Sequence, residues 1–379
     1  MAAIQSFEKM NLKHELLQGI FAYGFEKPSQ IQAQAIIPVS TGRDCVVQAQ
    51  SGTGKTGTFC VGVLQRLDMS IKTPQALMIA PTRELARQTE TVLASLGSFM
   101  GVTTQLLVGG TSVADDKAAL HKGCHVVVGT PGRVAALIEQ KSFQLDALKA
   151  LIVDEADEML SQGFLKAMQL LISQVPPRTQ IALFSATLPP EIISLTEKFM
   201  EDPVRILVKA EQVTLEGIRQ FSVNVDQNEK FTVICDLFDS LSLQQTVVYC
   251  NKKETVIGLS NAMLQENHIV ASIHGDLSPE ERTKTMDDFR KGKARVLIST
   301  DLTARGIDVQ NLSLVINYDI PRDVHFYIHR VGRSGRFGRK GTAINLVDPK
   351  YEARNMEAIE KFYHTVSNPL PRDLSKLLD

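Results

Sequence analysis

Cys45-Val46-Val47-Gln48-Ala49-Gln50-Ser51-Gly52-Thr53-Gly54-Lys55-Thr56 passes from an apolar run into a glycine-bearing turn, and a helical pattern follows from Gly57 to Leu67. Gly52 and Gly54 permit positive φ and let main-chain N–H groups converge into an anion nest around Thr53. The helix that opens there adds the positive end of its dipole. In a strand–loop–helix of this wording, Lys55 reaches the β- and γ-phosphates of a nucleotide and Thr56 gives a hydroxyl to Mg²⁺. Ala49 stands where the usual pattern opens with glycine. The nest is built from the later residues, so this departure costs little. A plain glycine-rich turn is the alternative. The strand, helix, lysine and threonine together argue against it.

Runs like Cys45–Val47 recur on both sides of that stretch. In the first half they are Ala76–Ile79, His125–Val128, Ala150–Val153 and Ile181–Phe184. In the second half they are Thr246–Tyr249, Ile269–Ile273, Arg295–Ile298, Leu314–Ile316 and Thr342–Leu346. Fully apolar strands alternating with helical patterns indicate parallel sheets covered on both faces. Two such series, in a chain of 379 residues that exceeds one ordinary core, predict two tandem doubly wound α/β domains. The rhythm breaks over Glu201–Gln220, at Asp202-Pro203 and Glu216-Gly217. The expected division is therefore 1–205, a linker at 206–217, and 218–379. Ligands bind where such strands end at their carboxyl edge. Each first-half strand hands over there to a cluster with chemical potential: Gln48–Thr56, Pro81–Leu85, Gly129–Arg133, Asp154–Asp157 and Ser185–Thr187.

The run Leu151-Ile152-Val153 ends in Asp154-Glu155-Ala156-Asp157. An acid at a strand end beside a phosphate loop is the expected second anchor for Mg²⁺. Glu155 is placed to orient or deprotonate a water, and Asp157 to pair with another motif. By itself the tetrad reads equally as an acidic helix start. Beside the phosphate loop it indicates a hydrolase.

Composition bounds the partners. The net charge of −1 excludes a globally basic coat but not a local basic groove. Basic residues concentrate between Pro321 and Gly341, where Arg322, Arg330, Arg333, Arg336, Arg339 and Lys340 face one acid, Asp323. A solvated face is the ordinary meaning of such a run. The five cysteines are scattered without metal-ligand spacing, which fits buried thiols in a reducing compartment. No apolar run is long enough to span a bilayer, and Met1–Lys13 lacks a signal peptide's apolar stretch.

The tetrad spells D-E-A-D, and the chain resembles the DEAD-box RNA helicases along its whole length. The matching segments in the first half are Gly24–Gln32, Pro81–Leu85, Gly109-Gly110, Thr130–Arg133 and Ser185–Thr187. In the second half they are His274–Asp276, Ser299–Asp301, Ala304–Asp308 and His329–Arg336. Phe7 and the Tyr23–Gln32 segment make it most similar to the branch of eukaryotic translation initiation factor 4A.

The resemblance implies tandem RecA-like domains of helicase superfamily 2 and an ATP-dependent RNA helicase. Its substrate and cofactor are ATP and Mg²⁺, the metal held by Thr56 and Asp154 largely through water. Gln32 reads adenine and Phe25 stacks on it, although by themselves they read as a surface amide and a core aromatic. Asp308 lies near the ribose. Ser185 and Thr187, which otherwise read as helix caps, couple nucleotide state to domain closure together with Asp157 and Arg330. Arg330, Arg333 and Arg336 recur every third residue and, if helical, share a face. Counterparts of Arg333 and Arg336 are arginine fingers on the γ-phosphate, so catalysis draws on Lys55, Asp154 and Glu155 from one domain and these arginines from the other.

By the same resemblance, RNA is expected to be held by its backbone, without sequence preference, through Arg83, Gly110, Thr130, Arg133, Gly275, Arg282 and Thr300. Pro279 replaces a family glutamine three residues before Arg282, removing one amide from that set. Other implied partners are protein regulators, such as a helical scaffold bridging both domains. A cytoplasmic monomer without membrane attachment is expected, with the nucleus as an alternative location. The activity implied is RNA-stimulated ATP hydrolysis with local unwinding of short duplexes, in mRNA translation initiation. A long-lived RNA clamp with regulated ATPase and a DNA-directed ATPase of the same superfamily stand as alternatives.

Overall fold

The structure is a computed structural model, and it describes residues 4–49, 53–161, 163–207, 218–240, 245–301, 312–332, 334, 341–371 and 374. The chain divides into two compact units, Met1–Val208 and Lys209–Asp379. Each holds one parallel sheet.

In the first unit the strands are β1 (Cys45–Gln48), β2 (Ala76–Ile79), β3 (Thr104–Leu107), β4 (Val126–Gly129), β5 (Ala150–Val153), β6 (Gln180–Ser185) and β7 (Val204–Leu207). They lie in the order β3-β4-β2-β5-β6-β1-β7, every pairing parallel. Alternate residues of one strand pack into different cores, as a sheet buried on both faces requires. Cys45 and Val47 join Met78, Val128, Ile152 and Phe184 against the helices His14–Ala22, Gln30–Ser40, Lys55–Arg66 and Arg83–Leu96. Val46 joins Leu77, Val127, Leu151 and Leu183 against Pro131–Glu139, Leu165–Gln174 and Pro190–Phe199. This is the doubly wound arrangement expected from the apolar runs.

The second unit repeats it with β8 (Ile218–Asn224), β9 (Gln245–Tyr249), β10 (Val270–Ile273), β11 (Val296–Ser299), β12 (Leu312–Asn317), β13 (Gly341–Val347) and β14 (Asn368–Pro369). Their order is β10-β11-β9-β12-β13-β8-β14, again parallel throughout. Val248, Ile298, Ile316 and Ile344 face one core, and Val247, Leu297 and Val315 face the other.

All ten runs read from the sequence are strands, shifted by a residue or two at their ends. Four more strands went unread: β3, β7, β8 and β14. β7 occupies residues 204–207, inside the stretch read as a break, where it pairs with β1. Register brings the strand ends level. Gln48 lies opposite Ser185, and Ile79 opposite both Gly129 and Val153. The five clusters therefore leave one edge of one sheet. Among the described residues, no helix is long and apolar enough to cross a membrane.

Candidate functional site: a phosphate loop beside a buried acidic turn

The helix Lys55–Arg66 opens on Gly54, whose φ of +100° is the left-handed conformation that glycine adopts without penalty. Lys55 is the first residue of that helix and is buried, yet it carries a charge. Its Nζ lies 3.1 Å from Oε1 of Glu155, which is also buried. Burial pushes the Lys55 ammonium down, but the charges of Glu155, Asp154 and Asp157 outweigh it and hold the group above its ordinary value. The lysine is thus locked in the charged form where a phosphate loop needs it.

Glu155 has φ +49°, a left-handed backbone at a residue without glycine's freedom. That conformation costs about 1–2 kcal/mol, and strain of this kind collects at functional sites. Its main-chain N–H donates to Asp154 Oδ1 at 3.0 Å, and its carbonyl accepts from Glu158 and Met159, starting the helix Ala156–Ser161. Asp154 is pushed up to about 7, first by burial and second by the negative charge of Glu155. A pair of crowded buried carboxyls is the donor chemistry that a hard divalent cation satisfies, and Thr56 follows Lys55 in the phosphate-loop helix. Thr56 and Asp154 therefore fit the expected Mg²⁺.

Asp157 leaves this turn in another direction. Its N–H donates to Ser185 Oγ at 3.2 Å, and its Oδ2 accepts from the N–H and Oγ1 of Thr187 at 3.0 and 2.6 Å. The three residues expected to act together from β5 and β6 do meet, through these hydrogen bonds.

The Gly24–Gln32 segment packs on the phosphate-loop helix. Ser29 caps Gln30–Ser40 by accepting from the Gln32 N–H, while Gln32 Oε1 accepts from the Ser29 N–H at 2.8 Å. Gln32 is buried, and its Nε2 would lie 2.9 Å from a Cβ placed on Gly57. Phe25 Cε2 would lie equally close to that Cβ. Only glycine at 57 lets the segment and the helix approach this far. Phe25 also stacks on Phe7, with ring centroids 6.3 Å apart, and meets Tyr23 edge-on at 4.9 Å. Gln32 thus has its acceptor oxygen tied to the cap, and Phe25 already sits among aromatic neighbours.

At the far side of the same edge, the ends of β2, β3 and β4 gather Arg83, Gly110, Thr130 and Arg133. Thr82 caps Arg83–Leu96. The Arg83 guanidinium lies so near the Gly109-Gly110 turn that a Cβ on Gly110, whose φ is +88°, would come within 2.6 Å of its Nη1. Thr130 precedes Pro131–Glu139, and its N–H donates to the Leu107 carbonyl at 3.0 Å. Arg133 forms an ion pair with Asp116 and donates to the Thr111 carbonyl at 2.7 Å.

Comparison with known proteins shows the family. Residues 29–195 match the DEAD/DEAH box helicase family, and residues 229–338 match the helicase conserved C-terminal domain. The chain belongs to the DEAD-box helicase family. It is 52% identical to eukaryotic initiation factor 4A-3 of Arabidopsis thaliana over 98% of this chain and 90% of that one. It is 51% identical to eukaryotic initiation factor 4A of Drosophila melanogaster, covering 98% and 93%. Among solved structures it resembles S. cerevisiae Dbp5 bound to RNA and ADP BeF3, with TM-score 0.91 and 36% identity over 98% of this chain and 97% of that one.

In the second unit of this DEAD-box helicase, Arg282 donates to the Gly275 carbonyl at 2.5 Å, so these two expected RNA residues meet. Pro279 is the first residue of the helix Pro279–Arg290, behind a Ser278 cap closed by Glu281. No intrahelical donor is needed there, so proline fits. Thr300 follows β11 directly and is half-buried.

Arg330 is buried near the end of the helix Val324–Val331. Its guanidinium donates to Asp301, Asn317, Asn251 and the Asp319 carbonyl, and lies 5.3 Å from the centre of the Tyr249 ring. The described helix runs to Val331, and the expected shared face of Arg330, Arg333 and Arg336 cannot be followed past it among the described residues. Gly52, Asp308, Arg333 and Arg336 lie outside the described residues.

The partnerships not foreseen include those of Asp116 and Lys230. Asp116, buried on the helix Val113–Lys122, holds Arg133; it sits four residues before Leu120, where an apolar residue would continue the stripe. Lys230, wholly buried, bonds Glu352 and the Tyr318 carbonyl, both at 2.6 Å. It shares a helical stripe with Ile234 and Leu237, and a lysine in that register was the available signal.

Proposed function

We propose that this DEAD-box helicase is an RNA-stimulated ATPase that separates short RNA duplexes locally, in mRNA translation initiation. The observation that carries the reading is the buried Lys55–Glu155 pair at the head of the phosphate-loop helix, with Glu155 held in a left-handed conformation. The relatives named initiation factor 4A support the cellular step, and the RNA-bound Dbp5 structure supports the nucleic acid.

In this reading Gly52, Thr53 and Gly54 cradle the phosphates of ATP. The β- and γ-phosphates compete with Glu155 for the Lys55 ammonium. Once released from Lys55, the Glu155 carboxylate becomes a base for the attacking water. Thr56 and Asp154 would hold Mg²⁺, which neutralises phosphate charge when bound. Gln32 and Phe25 select adenine, and Asp308 contacts the ribose. Arg333 and Arg336 stabilise charge on the γ-phosphate, an effect of about 10³–10⁵ in rate for arginine fingers. Asp157, tied to Ser185 and Thr187, transmits the state of the acidic turn to the end of β6. Arg83, Gly110, Thr130, Gly275, Arg282 and Thr300 hold the RNA backbone, with Arg133 in the same face. Protein regulators and a cytoplasmic setting belong to the same reading.

Glu155→Gln tests it. The amide keeps the size and loses the base, so ATP and RNA binding should persist while turnover falls about 10²–10⁴-fold. Turnover equal to that of the parent chain would remove Glu155 from this role.

A further inference from the structure

We propose that Arg133 does not bind RNA phosphate. Together with Asp116 it forms a neutral clamp that sets the shape of the Gly109–Ser112 turn, and the turn's main-chain N–H groups hold the RNA. This inference rests on the RNA-binding reading above.

Several observations converge on it. The Arg133 side chain is 11% exposed and that of Asp116 is 5% exposed, so the guanidinium is withdrawn from solvent and paired with a carboxylate. Such a pair carries no net charge, and a phosphate approaching Arg133 would meet Asp116 as well. Arg133 Nη2 donates to the Thr111 carbonyl at 2.7 Å, and Thr111 Oγ1 donates to the Val108 carbonyl at 2.8 Å. Arg133 thereby holds one carbonyl of the turn, and the Thr111 hydroxyl ties the turn back to the residue that precedes it.

Residues Gly110 to Asp115 are exposed, whereas Asp116 beneath them is buried. Among the described residues, no hydrogen bond takes up the N–H groups of Gly110, Thr111 and Ser112. Gly110, at φ +88°, supplies the left-handed step that turns the chain there. Arg83 closes the other side of the turn, with its guanidinium against Gly109 and Gly110. Arg83 can meet phosphate; Arg133 is committed inward. Asp116 is a positioning residue that acts through Arg133.

The two roles differ in salt dependence. Each phosphate neutralised by a protein charge steepens the plot of log affinity against log salt by about 0.7 for a single strand. A clamp that shapes the turn changes affinity without changing that slope. The test measures binding of a fluorescein-labelled oligouridine to the whole chain, with a non-hydrolysable ATP analogue, at several KCl concentrations. The parent chain is compared with Arg133→Ala, Asp116→Ala and the double variant. Asp116→Asn serves as the milder change should the alanine variant fail to fold.

Each single variant should weaken binding by about tenfold, the double variant no more than either alone, and all slopes should match the parent. Arg133→Ala flattening the slope by about 0.7, with Asp116→Ala or Asp116→Asn binding as tightly as the parent or tighter, would overturn the clamp. Additive losses in the double variant would overturn it as well. A parent chain that fails to bind the oligonucleotide refutes the RNA-binding reading instead.

Discussion

Replacing Arg330 by lysine separates two meanings of that residue. Guanidinium offers five N–H donors in a rigid fork, and ammonium offers three from a point. In the structure Nε and Nη2 reach the two oxygens of Asp301 at 2.6 and 2.7 Å, and Nη2 also reaches Asn251 Oδ1 at 2.7 Å. Nη1 reaches the Asp319 carbonyl at 2.6 Å and Asn317 Oδ1 at 3.2 Å. Every donor is used within the second unit. Lysine keeps the charge but loses two bonds and the forked grip on Asp301, at about 1–2 kcal/mol for each buried group left unmatched. The sum is about 2–4 kcal/mol. For a unit of this size each kcal/mol lowers the melting temperature by about 2–4 °C. Calorimetry of the whole chain should therefore show the second unit's transition lowered by roughly 5–15 °C. An unchanged transition with ATP turnover lost would refute the reasoning, because the guanidinium would then act on the nucleotide rather than on the strand ends it ties together.

Gly57→Ala puts a methyl group 2.9 Å from both Gln32 Nε2 and Phe25 Cε2, so it should displace the Gly24–Gln32 segment, which we propose selects adenine. The KM for ATP should rise about tenfold with a smaller change in kcat; an unchanged KM with a lowered melting temperature would place the contact in stability alone. Burial pushes the thiols of Cys45 and Cys124 up to about 12 and about 11, and those of Cys60 and Cys250 well above their ordinary value. At pH 8 these four stay protonated, so a thiol reagent should label them only as the protein unfolds. Cys235, half-buried and raised less, should react first in the native chain, and rapid native labelling of any of the other four would contradict the burial.

Most of the legible strands are buried on both faces, because full burial demands an unbroken apolar run; β10, an edge strand with only Ile273 buried, was legible from its apolar residues alone. The unread strands lie at or next to the edges. β3 and β7 close the two ends of the first sheet, and β7 alternates exposed and buried residues. β8, Ile218-Arg219-Gln220-Phe221-Ser222-Val223-Asn224, carries polar residues at alternate positions, and β14 has only two residues. In the site, the phosphate loop and the Asp154–Asp157 turn were legible because their chemistry needs fixed residue types at short spacing. Asp116 and Lys230 were not, because a buried charge is explained by its partner, and Arg133 and Glu352 lie 17 and 122 residues away. For the same reason the sequence did not show that Asp116 pairs with Arg133.

Steady-state ATP turnover by the whole chain with no nucleic acid, with single-stranded RNA, and with DNA of equal length and sequence tests the account most directly. RNA should raise turnover by about tenfold or more, a barrier lowered by at least about 1.4 kcal/mol, and DNA should not. Turnover indifferent to RNA, or raised equally by DNA, would contradict the account.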